Sequence, residues 1–550
     1  MAGAVRSAAA DAMSVVRVLG RSCRPDAALS LPLAAPAWLA GGLALGLVSG
    51  LSVLAFLALA VRGDWSAAPV VLGEAWFWQV LRFSLWQALL SAVLAVGLAL
   101  PVARAVALDP GLPARAAFLR LCLLCFVMPP LVLVTGLVVL LGRSGWLSPW
   151  LGEGWNLYGL AGIVIAHVYL NLPFAVRVLC FRWRAIPDGA WKLAAQLGLS
   201  GWQRFRRVEW PALRSVLPGV FGFVFLLCFN SFAVVLALGG GPRATTLEVA
   251  IYQALKFDFN PSEALLLAGV QLLVAGGLFM MLLRWSNLQW LSASAGGHWR
   301  PQPGRWGLWA GRLAYALCAL CLLLPLLVLL PTALGGRLGE LDQFAALPWA
   351  ALGAAGLRSL VLAGSAAALS LGLALACLSL WRQWPAGRRR VELLAQHQLV
   401  VPAMVLSVGV YVLLMPVVDW LRWGVLAVVV FNALVALPFV FQQLRPRVFD
   451  FEAQYRRLVA DLGLGPWARW RRVSGPYLRP ALRRAMAIAL VLALGDVALF
   501  GVFGDAAAPT LPWMIHALAG AYRLADAALA SLLLLLLALA ALRLLEHDHA

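Results

Sequence analysis

Lysine is almost missing from this sequence: its 550 residues contain two, Lys192 after Trp191 and Lys256 after Leu255. A phosphate-binding loop of the Gly-Lys-Ser/Thr type needs a lysine directly after glycine, so ATP hydrolysis by that route is excluded. Charge is scarce as a whole. Charged residues make up 12% of the chain, against about 25% in water-soluble domains, which rules out an ordinary soluble globule. Neither H-E-x-x-H nor G-x-S-x-G occurs, and no pair of carboxylates shares a membrane face, so intramembrane hydrolysis has no support. Among the 8 cysteines, Cys122 with Cys125 and Cys318 with Cys321 form C-x-x-C pairs inside apolar stretches. No histidine lies near either pair, so they read as small packing residues rather than a zinc site, and no disulfide framework is implied.

What the chain has instead is apolar length, with 63% of its residues hydrophobic. Windows of roughly 20 apolar residues match a hydrocarbon core of about 30 Å, and in lipid the backbone satisfies itself as helix. The expected fold is an all-α polytopic membrane protein with about twelve spans: 38–61, 80–106, 119–141, 157–181, 215–238 and 264–285, then 311–334, 352–380, 394–418, 423–444, 481–504 and 524–546. The net charge of +20 suggests a nucleic-acid partner only until its placement is considered. With both termini cytoplasmic, only nine of the 43 basic residues fall outside: Arg62, Arg82, Arg143, Arg243, Lys256, Arg337, Arg358, Arg422 and Arg523. That asymmetry is the signature of membrane insertion. Residues 1–37 lack a continuous apolar core and read as a cytoplasmic tail rather than a cleaved signal.

The sequence is also written twice. Leu197 to Arg214 (LGLSGWQRFRRVEWPALR) returns 265 residues later as Leu462 to Arg479 (LGLGPWARWRRVSGPYLR), with 11 of 18 positions identical. Gly97 to Leu100 recurs as Gly372 to Leu375, and Pro173-Phe174 as Pro438-Phe439. Two parallel repeats follow, 38–285 and 311–546, joined by a Ser/Gly/Pro/Trp-rich linker at 286–310. Prolines inside spans, Pro101, Pro129, Pro130, Pro218, Pro325, Pro402 and Pro438, suggest kinks.

Each repeated block opens on small residues and a glycine, Ala194-Ala195-Gln196-Leu197-Gly198 and Ala460-Asp461-Leu462-Gly463, and reaches a proline 13 residues on, Pro211 and Pro476. Glycine there permits positive φ after a first helix, and the proline starts the next one. Between them Trp202, Phe205 and Val208 fall at i, i+3, i+6, while Arg204, Arg206 and Arg207, with Arg471 and Arg472 in the second copy, project elsewhere. A basic amphipathic helix on anionic headgroups is the bland alternative. Duplication at matched positions favours a docking segment.

This pattern resembles the cytoplasmic "EAA" coupling loop of ATP-binding-cassette importer permeases. The matching positions are Lys192-Leu193-Ala194 with Gly198 and Pro211, and Arg457-Leu458-Val459 with Gly463 and Pro476; a basic residue stands where the family has glutamate. Asn230 to Leu255, Val80 to Leu89 and Leu119 to Pro129 resemble fused permeases of bacterial thiamine and thiamine pyrophosphate importers, whose duplicated layout ferric-iron importer permeases share. The resemblance implies a type I importer permease in the bacterial inner membrane. It implies two copies of a separate ATPase holding ATP and Mg, a periplasmic substrate-binding protein and a small-molecule substrate, with no cofactor or metal on this chain and no nucleic acid. Ala194, Ala195, Gly198, Arg206, Arg207 and Pro211, with Ala460, Gly463, Arg471, Arg472 and Pro476, would carry the coupling.

The substrate path is expected around Asp496, an ionisable residue inside a span, with its counterpart Ser231, neighbouring Asn230, and the aromatic faces of Phe229 and Trp86. Asp496 alternatively caps or pairs near the outer membrane edge. His167 reads as a hydrogen-bonded packing residue, Gly239-Gly240-Gly241-Pro242 as a turn or an outer-gate hinge, and His547-Asp548-His549 as a weak metal-like cluster. An ion-coupled secondary transporter is the competing class. It would need several protonatable midplane groups, where the spans offer little beyond Asp496 and His167.

Overall fold

The computed structural model describes residues 35–63, 65–66, 68–285, 304–335, 348–399 and 401–546. Residues 1–34 of the expected tail, 286–303 of the expected linker and His547-Asp548-His549 lie outside them. The secondary structure of the described residues is helical throughout. Eight helices are long and apolar enough to cross a membrane, or ten if two bent pairs each count as one span.

The difference from twelve lies in the third and fifth spans of each half, where polar or proline-rich sequence breaks the helix. Expected span 119–141 is two helices, Arg115–Val127 and Pro130–Leu141, bent by 102°. Pro129 and Pro130 lack N–H groups and cannot continue the ladder, so the chain turns there. Its partner, 394–418, is Arg388–Gln396 followed by Ala403–Leu414 after Pro402. The fifth spans break alike, as Leu217–Phe229 then Ala233–Leu238, and Gly475–Leu494 then Ala498–Phe503. Gly475–Leu494 also carries Arg479, Arg483 and Arg484 in its first half.

The duplication extends to single hydrogen bonds. Ser84 Oγ accepts from the Leu247 amide at 2.9 Å, and in the second half Ser359 Oγ accepts from Leu511 at 2.8 Å. Each bond pins a helix start, where amides have no partner in their own helix. The first helix of each half leaves its own half. Ala35–Arg62 packs on Trp349–Gln383 and Ala403–Leu414, whereas Arg305–Leu327 packs on Ala75–Leu108 and Pro130–Leu141. Glycines seat both crossings: a Cβ on Gly136 would run into the backbone of Pro325, and one on Gly409 would sit 2.8 Å from Ala55 Cα. Small residues allow such close approach where packing, not water exclusion, drives helix association.

Candidate functional site

The repeated blocks sit at one end of the bundle, and each begins with a stop. Helix Asp188–Gln196 ends as Gly198 adopts φ +61°. The amides of Gly198 and Leu199 then return to the carbonyls of Ala195 and Ala194 at 3.0 and 3.1 Å, satisfying groups the helix leaves open. Gly463 takes φ +57° after helix Trp420–Asp461. In the first block the Ser200 hydroxyl accepts from the Gln203 amide while Gln203 Oε1 accepts from Ser200, a reciprocal cap.

Both blocks then run through a single wide turn, Phe205–Glu209 and Trp470–Ser474, before their prolines. The carbonyls four residues before Pro211 and Pro476 belong to Arg207 and Arg472, inside those turns. One extra residue per turn relieves the clash a proline ring makes with that carbonyl. The wide turn also shifts the expected face. Trp202 is 70% exposed, but Phe205 and Val208 are half-buried against the bundle. The exposed apolar positions that match between the blocks are instead Leu193, Leu197 and Trp202 with Leu458, Leu462 and Trp467; Trp210 and Trp470 are exposed in one block each. Arg206, Arg207, Arg471 and Arg472 are exposed, as are Ala195, Pro211 and Pro476, while Ala194 is buried; Ala460 lies in the last turn of its helix.

The blocks differ in their anchors, which the sequence did not disclose. Glu209 is fully buried and takes two hydrogen bonds from Arg104, at 2.7 and 2.9 Å, and one from Trp183 Nε1 at 2.9 Å. The first block is thus tied to helices Ala75–Leu108 and Leu160–Arg184 at once. Arg204, expected to project away, turns to Glu209 at 3.9 Å. At the matching places the second half has Ser474 and Ser379. Its block is held by Glu452, which receives Arg382 at 3.3 Å and Arg469 at 3.2 Å. The one clue to Glu209 was its being the sole acid in the repeated block.

Toward the other end, the breaks in the fifth spans place Asn230-Ser231 and Gly495-Asp496 in non-helical backbone. Asp496 accepts from the amides of Leu499 and Phe500 at 3.0 and 3.1 Å and from Asn432 at 3.1 Å. Its bonds are those of a group capping the short helix Ala498–Phe503. Asn230 receives Gln271, which also donates to the buried Glu248 at 2.7 Å. Ser231 is half-buried and Phe229 fully buried. Trp86 lies apart, 55% exposed on the face of Ala75–Leu108 that the bundle does not cover. His167 is buried beside Ser91, and Pro242–Ala244 forms one tight turn. Cys122 and Cys125 are fully buried, and no metal-competent cluster occurs among the described residues.

A family model for the inner membrane component of binding-protein-dependent transport systems matches residues 95–286. The thiamine transport system permease protein ThiP of Brucella abortus (strain 2308) is 38% identical over 537 residues, 94% of this chain and 97% of that protein. This chain belongs to the family of binding-protein-dependent transport permeases. The Escherichia coli (strain K12) ThiP is 38% identical over 91% of this chain and 95% of its own length, and that of Haemophilus influenzae 36% over 89% and 93%. The match runs through both halves, so the duplicated architecture is that of a fused, multi-pass permease subunit of an ATP-binding-cassette importer. The two blocks stand at matched positions of its two halves, each with an exposed apolar face.

Proposed function

We propose that this permease moves thiamine or its phosphate esters from the periplasm to the cytoplasm, powered by two copies of a separate ATPase and fed by a periplasmic binding protein. Near-full-length identity of 36 to 38% with thiamine transport permeases carries the substrate reading. The twin blocks support the motor reading, since each follows a left-handed glycine and presents an exposed apolar face at matched positions. Both termini are assigned to the cytoplasm on the distribution of arginine, with repeats at 38–285 and 311–546 and the linker at 286–310.

In this mechanism closure of the ATPase pair moves Leu193, Leu197 and Trp202 together with Leu458, Leu462 and Trp467. The bundle follows because Glu209 and Glu452 tie those segments to the spans. An equilibrium shifts only through such differential contacts. Substrate passes the breaks at Asn230-Ser231 and Gly495-Asp496, because non-helical backbone within a membrane is tolerated where it lines a protein cavity. The Asp496 carboxylate gives that passage a preference for cations. Reconstitution with the ATPase and binding protein in vesicles tests the whole: uptake of labelled thiamine should require ATP and all three components. Uptake that persists without the ATPase and follows an imposed ion gradient would replace it with ion-coupled transport.

A further inference from the structure

A groove of about 550 Å³ is bounded by Trp78, Gln79, Arg82, Phe83, Trp86 and Arg243. Its depth in the membrane follows from helix Ala75–Leu108. Arg104 of that helix holds the first coupling block through Glu209, and Arg82 lies 22 residues before it, about 33 Å along the axis at 1.5 Å per residue. That distance matches a hydrocarbon core of about 30 Å. Arg82 therefore stands at the opposite membrane interface, where tryptophan rings settle at headgroup level.

The groove opens toward lipid. One side of Ala75–Leu108 is covered by Leu160–Arg184, Leu217–Phe229 and Arg305–Leu327. The other carries Trp78, Trp86, Leu89 and Val93, at 47%, 55%, 40% and 51% exposure. Such an apolar stripe suits acyl chains. Arg82 and Arg243 interrupt its end, both exposed, and among the described residues neither has an acidic or carbonyl partner.

The second half serves as an internal control. With Ser84 and Ser359 aligned, Arg82 corresponds to Leu357 and Trp86 to Val361, and these are 64% and 57% exposed, as lipid-facing residues should be. Arg243 corresponds to Ala507. The one arginine nearby, Arg358, donates to the Pro509 carbonyl at 3.1 Å. Two free guanidinium groups and two tryptophans have thus been placed on a surface that the repeated architecture otherwise leaves apolar.

We propose that this groove binds the headgroup of an anionic phospholipid, the two guanidinium groups holding its phosphate, the tryptophans flanking the headgroup and the Leu89–Val93 stripe receiving a chain. The site lies outside the transport path and does not depend on the substrate. The test uses the full chain purified from bilayers of mixed phosphatidylglycerol and phosphatidylcholine, with retained lipid counted by native mass spectrometry. Replacing both arginines by their second-half residues, Arg82→Leu with Arg243→Ala, should lower phosphatidylglycerol retention relative to phosphatidylcholine on the order of 20-fold, from the interaction of each basic residue with anionic lipid. Wild-type retention should weaken as salt rises. Arg82→Lys with Arg243→Lys should recover part of it, which a merely misfolded variant would not, and Arg358→Leu should change nothing. Equal phosphatidylglycerol retention by wild type and the Leu/Ala variant would overturn the proposal. So would loss of binding-protein affinity in that variant with lipid retention intact, which would make the groove a protein-docking surface.

Discussion

At the residue scale, the coupling blocks depend on two backbone positions and one carboxylate. Gly198 and Gly463 occupy left-handed backbone with open space where a Cβ would stand, so the demand on them is conformational and not steric. A β-branched residue there costs on the order of 1–2 kcal/mol, whereas asparagine visits this region readily. Gly198→Val with Gly463→Val should therefore abolish co-purification of the ATPase while the protein still inserts, and the asparagine pair should retain it. Equal loss in both pairs would mean that side-chain bulk at the docking face is what matters. Glu209 acts through a different physics. Glu209→Gln removes the charge that two Arg104 donors and Trp183 share, at a cost on the order of 2 kcal/mol for charged hydrogen bonds. The expected phenotype is ATP hydrolysis with reduced uptake per ATP, together with a lower melting temperature in detergent. The glycine and proline framework was legible in the sequence because repetition exposed it. The Glu209 anchor was not, because its partners Arg104 and Trp183 sit far away in sequence and the second half replaces all three groups, with Ser474, Ser379 and Val448.

At the element scale, the expected order of helices is present, yet hydropathy could not reveal the breaks within them. Apolar residues on either side of Pro129-Pro130 read as one span, since composition is blind to a 102° turn. Nor does a six-plus-six repeat disclose that each first helix crosses to the other half. That exchange rests on Gly136 and Gly409 and is fastened by one ion pair: Arg312, near the start of Arg305–Leu327, reaches Asp109 beyond the end of Ala75–Leu108 at 2.9 Å. Burial alone would push the Asp109 carboxyl up, but Arg312 and the Gly111 amide outweigh it and hold the group below its ordinary value. A depressed folded-state value means stabilisation that is fully present above the unfolded value of about 4 and lost as pH falls through the folded one. Wild-type melting temperature should accordingly drop on acidification below that range by more than that of Asp109→Asn. Parallel acid profiles would show that the pair adds nothing, as is common for ion pairs with one exposed partner.

At the scale of the whole molecule, two halves that exchange their first helices are free to rock only if the contacts between them can part. The end remote from the coupling blocks is closed across the halves. Lys256 of the first half lies 5.1 Å from the centre of the Tyr411 ring in the second, and Tyr411 stacks on Trp420 and meets Phe503. Close by, a Cβ on Gly501 would stand 3.2 Å from Tyr252. Helices Leu247–Lys256, Ala403–Leu414 and Ala498–Phe503 thus meet across the halves through aromatic contacts, which on the proposed path would act as a lid over the breaks at Asn230 and Asp496. Interfaces of this kind are bistable, packed or parted, so passage of substrate by the proposed path would require them to separate as rigid pieces. A reducible cross-linker joining Lys256→Cys to Tyr411→Cys, in a background with the native cysteines replaced, should stop ATP-driven uptake in vesicles. Reduction should restore it. If the cross-linked protein transports at the uncrosslinked rate, the lid stays shut during the cycle and the path runs elsewhere in the bundle.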